Sequence, residues 1–383
     1  MNLLLRIAKR ARLLLASIPE TMRVKFYLWR ARASGKTSLL INLSSVPLHF
    51  NFVKDLIYRL NNDPKFLVII ACDFDRKQMV LPQSLKVVLS RFIPFLNVDH
   101  VITLDAGETP IHRRSKLIHI PHSLASMHVI YPEGAFDHFD YIFCAGPHHL
   151  RELTQMLRKR EIRNCTLIPA GYEIVDRWMS HTTTNTNTPP VILFAPSWGE
   201  FNALALKGIE IITALVDEYE VILRPHGMSL VEDAKTLDII RQRFGDHPRF
   251  SFDLSADSSP SARRADLLIS DWSGIAFEYA LAFLKPVVFI DGPMKVFNPN
   301  WNRYLPEPGI EKTEREKIGV VVQDMETLRS VVIDLLSTAD SWKEKIRSAR
   351  ETLLFHPTRC AEATHHALSL LAAHQRGQDW VNV

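Results

Sequence analysis

Ser270-Asp271-Trp272-Ser273-Gly274 is a tight polar turn between the apolar run Leu267–Ile269 and a segment, Ile275–Phe283, with helical spacing. A strand, a small-residue turn and a helix start make an anion site, because a helix's first amides have no internal partner and lie at the positive end of its dipole. Ser273 and Gly274 let a phosphate approach those amides closely, and Glu278, one turn further on, is within reach of a ribose hydroxyl. Ser-Asp-Trp-Ser is equally a good helix-capping sequence, and the stretch alone does not choose.

In Ile222-Leu223-Arg224-Pro225-His226-Gly227, Pro225 turns the chain out of a strand and Gly227 permits a close backbone approach. Arg224 and His226 would then face a cleft, where a guanidinium and an imidazole suit a diphosphate. The alternative is a surface histidine in a turn. His122, in His119-Ile120-Pro121-His122-Ser123, follows a strand and is the candidate base for an acceptor hydroxyl, since histidine titrates near working pH. His112, His119, His128, His138, His148 and His149 crowd the same region, so position alone does not single out His122. No HExxH or paired-histidine spacing points to a metal, no serine nucleophile elbow is present, and no cofactor is expected. Gly35-Lys36-Thr37 fails as a phosphate loop because Arg30 stands where the leading glycine belongs.

These turns need elements to hold them. From Ser38 to Met179 the pattern predicts strands at Leu39–Leu43, Phe66–Ala71, His100–Leu104, Lys116–Ile120, Tyr141–Cys144 and Thr166–Ile168. Helices are predicted at Phe50–Leu60, Ser84–Arg91, Pro147–Leu157 and Glu173–Met179. Ser180–Pro190 has no apolar residue and ends in two prolines, which reads as a linker. The alternation then restarts, with strands at Val191–Ala195, Val221–Leu223, Phe250–Phe252, Leu267–Ile269, Val287–Ile290 and Val320–Val322. Helices are expected at Ala203–Val216, Leu230–Arg243, Ser273–Phe283, Met325–Leu336, Ser341–Leu353 and Thr358–Ala373. Two such α/β halves imply Rossmann-like domains facing across a cleft. Every turn singled out above, together with Pro196-Ser197-Trp198, lies at the carboxyl end of a predicted strand, where open α/β sheets bind ligands.

The chain of 383 residues suits two domains, and its 46% apolar and 23% charged composition is that of a globular protein. Four scattered cysteines without a CxxC pair argue for a reducing compartment. The formal charge of +4 hides an asymmetry: residues 1–36 carry nine basic side chains against Glu20 alone. A basic arm on a mildly acidic body argues against a nucleic-acid partner. Leu3, Leu4, Ile7, Ala11, Leu14, Leu15 and Ile18 form one helical stripe opposite Arg6, Lys9, Arg10 and Arg12, until Pro19 ends the pattern. That reads as a monotopic anchor through residues 1–18 on an anionic membrane; the alternative is a helix packed on the body. The boundaries follow: an arm at 1–36, a first α/β domain at 37–180, expected to take the acceptor that His122 would serve, a linker at 181–190, a second at 191–340 with the anion turns, and helices at 341–383 returning across the cleft.

The second half resembles the CDP-glycerol glycerophosphotransferase family. Phe194-Ala195-Pro196-Ser197-Trp198 is similar to its strand followed by Ala-Pro-Thr-Trp, and Leu223-Arg224-Pro225-His226 to its strand followed by Arg-x-His. Ala265 to Ile290 resembles its Ala-Asp-x-Leu-Ile-Ser-Asp-Tyr-Ser-Ser, helix, Lys-Pro and strand, with Trp272 for the tyrosine and Gly274 for the second serine. The family's Trp-His-Gly has its nearest counterpart in Pro121-His122-Ser123, without the tryptophan or the glycine. The resemblance implies a GT-B-like fold, a membrane-associating region and a place on the cytoplasmic face of the cell membrane. It also implies transfer of an alditol phosphate from a CDP-alditol such as CDP-glycerol to a teichoic-acid, capsule or lipid-linked acceptor, with CMP leaving. His122 would take the hydroxyl proton, while Arg224 and His226 offset diphosphate charge. Ser270, Asp271, Ser273 and Gly274 would hold the phosphates by their turn and helix amides, with Glu278, Pro196 and Ser197 at the nucleoside. The rivals are a UDP-sugar glycosyltransferase or epimerase-like enzyme, and a non-catalytic membrane scaffold.

Overall fold

A computed structural model describes residues 21–383 apart from 45, 76–78, 108, 181–187 and 256. The amphipathic stripe expected over residues 1–18, and most of the linker expected at 181–190, lie outside the described residues. The first sheet contains β1 (Thr37–Asn42), β2 (Phe66–Ala71), β3 (Lys86–Val88), β4 (His100–Thr103), β5 (Lys116–His119), β6 (Tyr141–Cys144) and β7 (Thr166–Pro169). The second contains β8 (Val191–Phe194), β9 (Glu220–Leu223), β10 (Phe250–Phe252), β11 (Leu267–Ser270), β12 (Val287–Ile290) and β13 (Gly319–Val322). β14 (Val381–Asn382) returns to the first sheet, antiparallel to β7 with Val381 opposite Leu167.

The orders are β3-β2-β1-β4-β5-β6-β7-β14 and β10-β9-β8-β11-β12-β13. Each sheet therefore reverses direction once, between β1 and β4 and between β8 and β11. At such a reversal the connections leave to opposite faces, and a crevice opens beyond the strand ends. Helices cover both faces, which is why Leu39, Leu40 and Ile41 are buried in succession rather than alternately. The two sheets make two Rossmann-like domains. They are joined at their base by the helix Glu173–Met179 packed on the helix Ile275–Phe283, with Trp178 stacked on Phe283 at 5.6 Å and 15°.

Three expectations need correction. Ser84–Arg91 is not a helix: Val87 and Val88 pair in register beside Ile70 and Ala71 as β3, and a 3-10 turn follows at Ser90–Phe95. β-branched residues with a free sheet edge beside them outweigh the apolar spacing that suggested a helix. The helix expected at Leu230–Arg243 is interrupted at Asp233 into Ser229–Glu232 and Ala234–Phe244. Part of the basic arm belongs to the body: residues 21–33 are helical, and Val24, Leu28 and Ala31 are buried, the first two in one cluster with Leu40, Ile69 and Val88.

The carboxyl-terminal helices Ala339–Leu353 and Cys360–Ala372 return to the first domain. Phe355 N–H donates to the Ala145 carbonyl at 2.9 Å, and a Cβ on Gly146 would stand 1.8 Å from the Leu353 oxygen. A backbone oxygen cannot swing aside as a side-chain tip does, so Gly146 is required for this seam. We expect Gly146→Ala to destabilise the protein by about 1–3 kcal/mol, as overpacking does. The readout is a lower thermal midpoint with early proteolysis within residues 354–383; an unchanged midpoint and digestion pattern would refute the contact.

Candidate functional site

At the reversal in the second sheet, the turns after β8 and β11 lie side by side. One buried carboxylate ties them: Asp271 Oδ1 accepts from the Ser197 amide at 2.6 Å, and Oδ2 from Ser197 Oγ at 3.0 Å and the Ala203 amide at 2.7 Å. Ser270 Oγ donates to the Ala195 carbonyl at 2.6 Å and is likewise buried. With its strand-end turn anchored this way, the chain enters the helix Ile275–Phe283 with its first residues half-exposed. The amides of Ser273, Gly274 and Ile275 donate to no protein acceptor among the described residues. They are the orphan donors of a helix start, facing the crevice.

Ser270, Asp271 and Ser197 have their side chains committed to the protein, and Pro196 is buried; they shape the turns, and the half-buried indole of Trp198 is what the crevice meets. Arg224 was expected on the diphosphate. Instead its Nη1 pairs with Asp253 Oδ2 at 2.7 Å and its Nη2 donates to the Ser255 carbonyl at 2.9 Å. The register of β9 against β10, Leu223 beside Phe252, puts the next residues Arg224 and Asp253 shoulder to shoulder. Gly274 does allow a close approach, but what approaches is Ser123 of the other domain: a Cβ there would lie 2.9 Å from Ser123 Oγ.

That contact brings the His122 loop to the helix start. His122 Nδ1 lies 2.8 Å from the Leu104 carbonyl. A carbonyl only accepts, so Nδ1 carries a proton, and in the neutral ring Nε2 is the atom with the lone pair. His226 is the mirror case: its Nδ1 accepts from the Met228 amide at 3.1 Å, so the proton resides on Nε2. Its ring is stacked on Trp198 at 5.7 Å and 25°. Enclosure by the cleft walls, then Lys295, Arg224 and His122, lower its pKa to about 4, and it is neutral at pH 7. His122, on the other domain, is the weakest of these influences.

Glu278 is buried, and its Oε1 accepts from the Tyr172 hydroxyl of the first domain at 2.7 Å. Burial raises its pKa to about 7, against the Tyr172 hydrogen bond and the fields of Arg177 and Arg224. Trp272 is also buried, beneath the guanidinium of Arg315 at 3.6 Å from the ring centre, and Arg315 pairs with Asp291 at 3.1 Å.

Sequence reasoning missed His49, Asp105, Tyr172 and Lys295. The His49 ring is 5.0 Å from His122, and its Nε2 lies 3.7 Å from Asp105 Oδ1. None belongs to a recognisable motif; only their position just beyond strand ends would have marked His49, Asp105 and Tyr172. His148 and His149, by contrast, support the loop after His122. Their Nε2 atoms donate to the Leu124 and Ala125 carbonyls at 3.0 and 3.1 Å.

Burial pulls His149 from 6.5 to about 4. A folded-state pKa below the unfolded one means that the unfolded chain binds more protons, so stability is lost as pH falls from 6.5 towards 4. At 1.36 kcal/mol per pKa unit the loss amounts to about 3 kcal/mol. His149→Gln keeps a donor near Nε2 but cannot titrate. We expect urea unfolding at pH 7 and pH 4.5 to show a smaller acid loss in the variant; equal losses would refute this.

The residues 163–357 match the model of the family described as CDP-glycerol:poly(glycerophosphate) glycerophosphotransferase. Comparison with curated proteins finds none that matches. Among solved structures the chain is similar to the wall teichoic acid polymerase TagF, at 15% identity, covering 94% of this chain and 98% of that one with a TM-score of 0.58. A TagF variant soaked with CDPG for 30 minutes gives a TM-score of 0.59 at 15% identity over the same shares of the two chains. The S. aureus MnaA–UDP co-structure gives 0.62 at 14% identity, covering 90% of this chain and 99% of that one. These likenesses are of fold, and the fold is GT-B-like.

Proposed function

The chain belongs to the CDP-glycerol:poly(glycerophosphate) glycerophosphotransferase family, and we propose that it moves a glycerol-phosphate unit from CDP-glycerol or a related CDP-alditol to a hydroxyl of a teichoic-acid-type or lipid-linked acceptor. The observation that carries this reading is two strand-end histidines in opposite tautomers, one on each domain, with the loop of His122 set against unpartnered helix amides through Ser123 and Gly274. The acceptor oxygen attacks the β-phosphorus while the bond from that phosphorus to the bridging oxygen breaks, and CMP departs with the bridging oxygen. His122 Nε2 takes the hydroxyl proton as the new P–O bond forms. His226 Nε2–H donates a hydrogen bond to a diphosphate oxygen, and the Ser273, Gly274 and Ile275 amides receive the remaining negative charge. Phosphoryl transfer asks little covalent work of a protein, so positioned donors and one base suffice. Glu278, held by Tyr172, meets the ribose.

His122→Asn should lower kcat by about 100- to 10,000-fold, the usual worth of a positioned base, with donor affinity retained. His226→Ala should collapse turnover with the fold intact. Near-normal CMP release by either variant removes that residue from the mechanism. The TagF structure soaked with CDPG favours a cytidine donor, and the MnaA–UDP likeness supplies the rival. A thermal shift larger with UDP-GlcNAc than with CDP-glycerol would overturn the donor assignment; a ligand at 100 times its dissociation constant stabilises by about 2.7 kcal/mol.

We further infer a peripheral seat on the anionic inner face of the cell membrane. Among the described residues no helix is long and apolar enough to cross one. In the helical residues 21–33, Met22, Phe26 and Trp29 lie along one line with 68%, 54% and 65% of their surfaces exposed. Arg23, Lys25, Arg30 and Arg32 flank them, and residues 21–36 contain no acid. An apolar line edged by cations is the pattern of an interfacial helix. Replacing Met22, Phe26 and Trp29 together by serine should reduce flotation with phosphatidylglycerol vesicles, and undiminished flotation would remove this face from the proposal.

A further inference from the structure

Three basic side chains near the crevice of the second domain are already accounted for. Arg224 is paired with Asp253, Arg315 with Asp291, and His226 is neutral. Half-buried Lys295, on the stretch after β12, is not among them. Its ammonium stands 4.4 Å from the Trp198 ring centre and 5.1 Å from that of Phe297. The same indole carries His226. No ion pair or hydrogen bond joins Lys295 to a protein acceptor among the described residues. With Trp272, Glu311 and the exposed Lys312 it lines a narrow pocket between the domains, walled on the far side by Val129 and Ile130.

Aromatic faces attract a cation but do not replace its lost water, and a half-buried ammonium without a counter-ion is an incomplete site. We propose that Lys295 binds the donor's diphosphate, supplying the positive charge that the sequence pattern assigned to Arg224. Trp198 holds the ammonium in place on the same wall as the His226 imidazole, and Lys295 keeps its proton throughout the transfer. The inference rests on the nucleotide-donor reading above.

Titration separates this role from mere packing. Burial pulls the Lys295 pKa down to about 8, and the carboxylates of Asp271, Glu232 and Glu311 oppose the shift only in part. His226, the other titratable group on the same indole, is neutral across the alkaline range. Donor affinity should therefore fall above about pH 8 as the ammonium deprotonates. An arginine stays charged at every accessible pH and still stacks on indole.

The test is isothermal titration of the full-length protein with CDP-glycerol, CMP and cytidine between pH 6.5 and 9.5. Lys295→Met should weaken CDP-glycerol and CMP at least tenfold at pH 7 and leave cytidine unchanged. Lys295→Arg should bind CDP-glycerol within a few-fold of the unaltered protein at pH 7, without the alkaline fall. Undiminished CDP-glycerol binding by Lys295→Met, or an alkaline fall that persists in Lys295→Arg, overturns the assignment of Lys295 alone. Failure of the unaltered protein to bind either cytidine nucleotide overturns the donor reading, and this inference with it.

Discussion

The arrangement of the second domain depends on the buried carboxylate of Asp271. Where the sheet order reverses, the turns after β8 and β11 must part to opposite faces, and something must hold their first residues together while they do so. Asp271 does this with three accepted hydrogen bonds, two from Ser197 and one from the start of the helix at Ala203. A carboxylate accepting backbone amides in a buried site is a strong tether. Its consequence is directional. With the turn fixed inward, the next amides of the chain point outward, and the Trp198 indole is pushed to the mouth of the crevice.

Charge in the crevice is arranged by subtraction. The strand register that aligns Arg224 with Asp253 removes one cation from the site, and Asp291 removes another by pairing with Arg315. Each histidine's tautomer is fixed by the backbone group its Nδ1 meets: a carbonyl for His122, an amide for His226. Two chemically identical side chains thereby acquire opposite capacities, one with a lone pair to offer and one with a proton. Nothing in the side chains distinguishes them; the backbone does.

The domains meet at several points around the crevice, and each contact relies on small or buried polar groups. Gly274 touches Ser123. Tyr172 reaches Glu278, and the Ser126 amide donates to Glu311 at 2.8 Å. Burial raises Glu311 to about 7, as it does Glu278. Below these contacts the stacked Trp178 and Phe283 form an apolar base. Polar contacts at the rim over an apolar foot leave the rim the more readily rearranged, since each polar group can exchange a protein partner for water or ligand at small net cost.

The strands were legible in the sequence because a parallel sheet covered on both faces demands continuous apolar runs, and Leu39–Leu43 or Val287–Ile290 satisfy that demand locally. The strand-end turns were legible for the same reason: once the strands are set, Ser270 to Gly274 and Pro225-His226 must lie just beyond them. The family resemblance rests on those same residues. β3 and β14 were missed because each is short and pairs only with partners distant in sequence. Residues 21–33 likewise read as arm until Val24 and Leu28 are seen against the first sheet. What only tertiary structure decided is partnership. Whether Arg224 faces a ligand or Asp253, whether His122 offers a lone pair or a proton, and whether Lys295 finds a counter-ion all depend on groups brought near by folding. Periodicity reports how a residue relates to solvent and core, whereas a charge or a tautomer is set by its nearest neighbours in space.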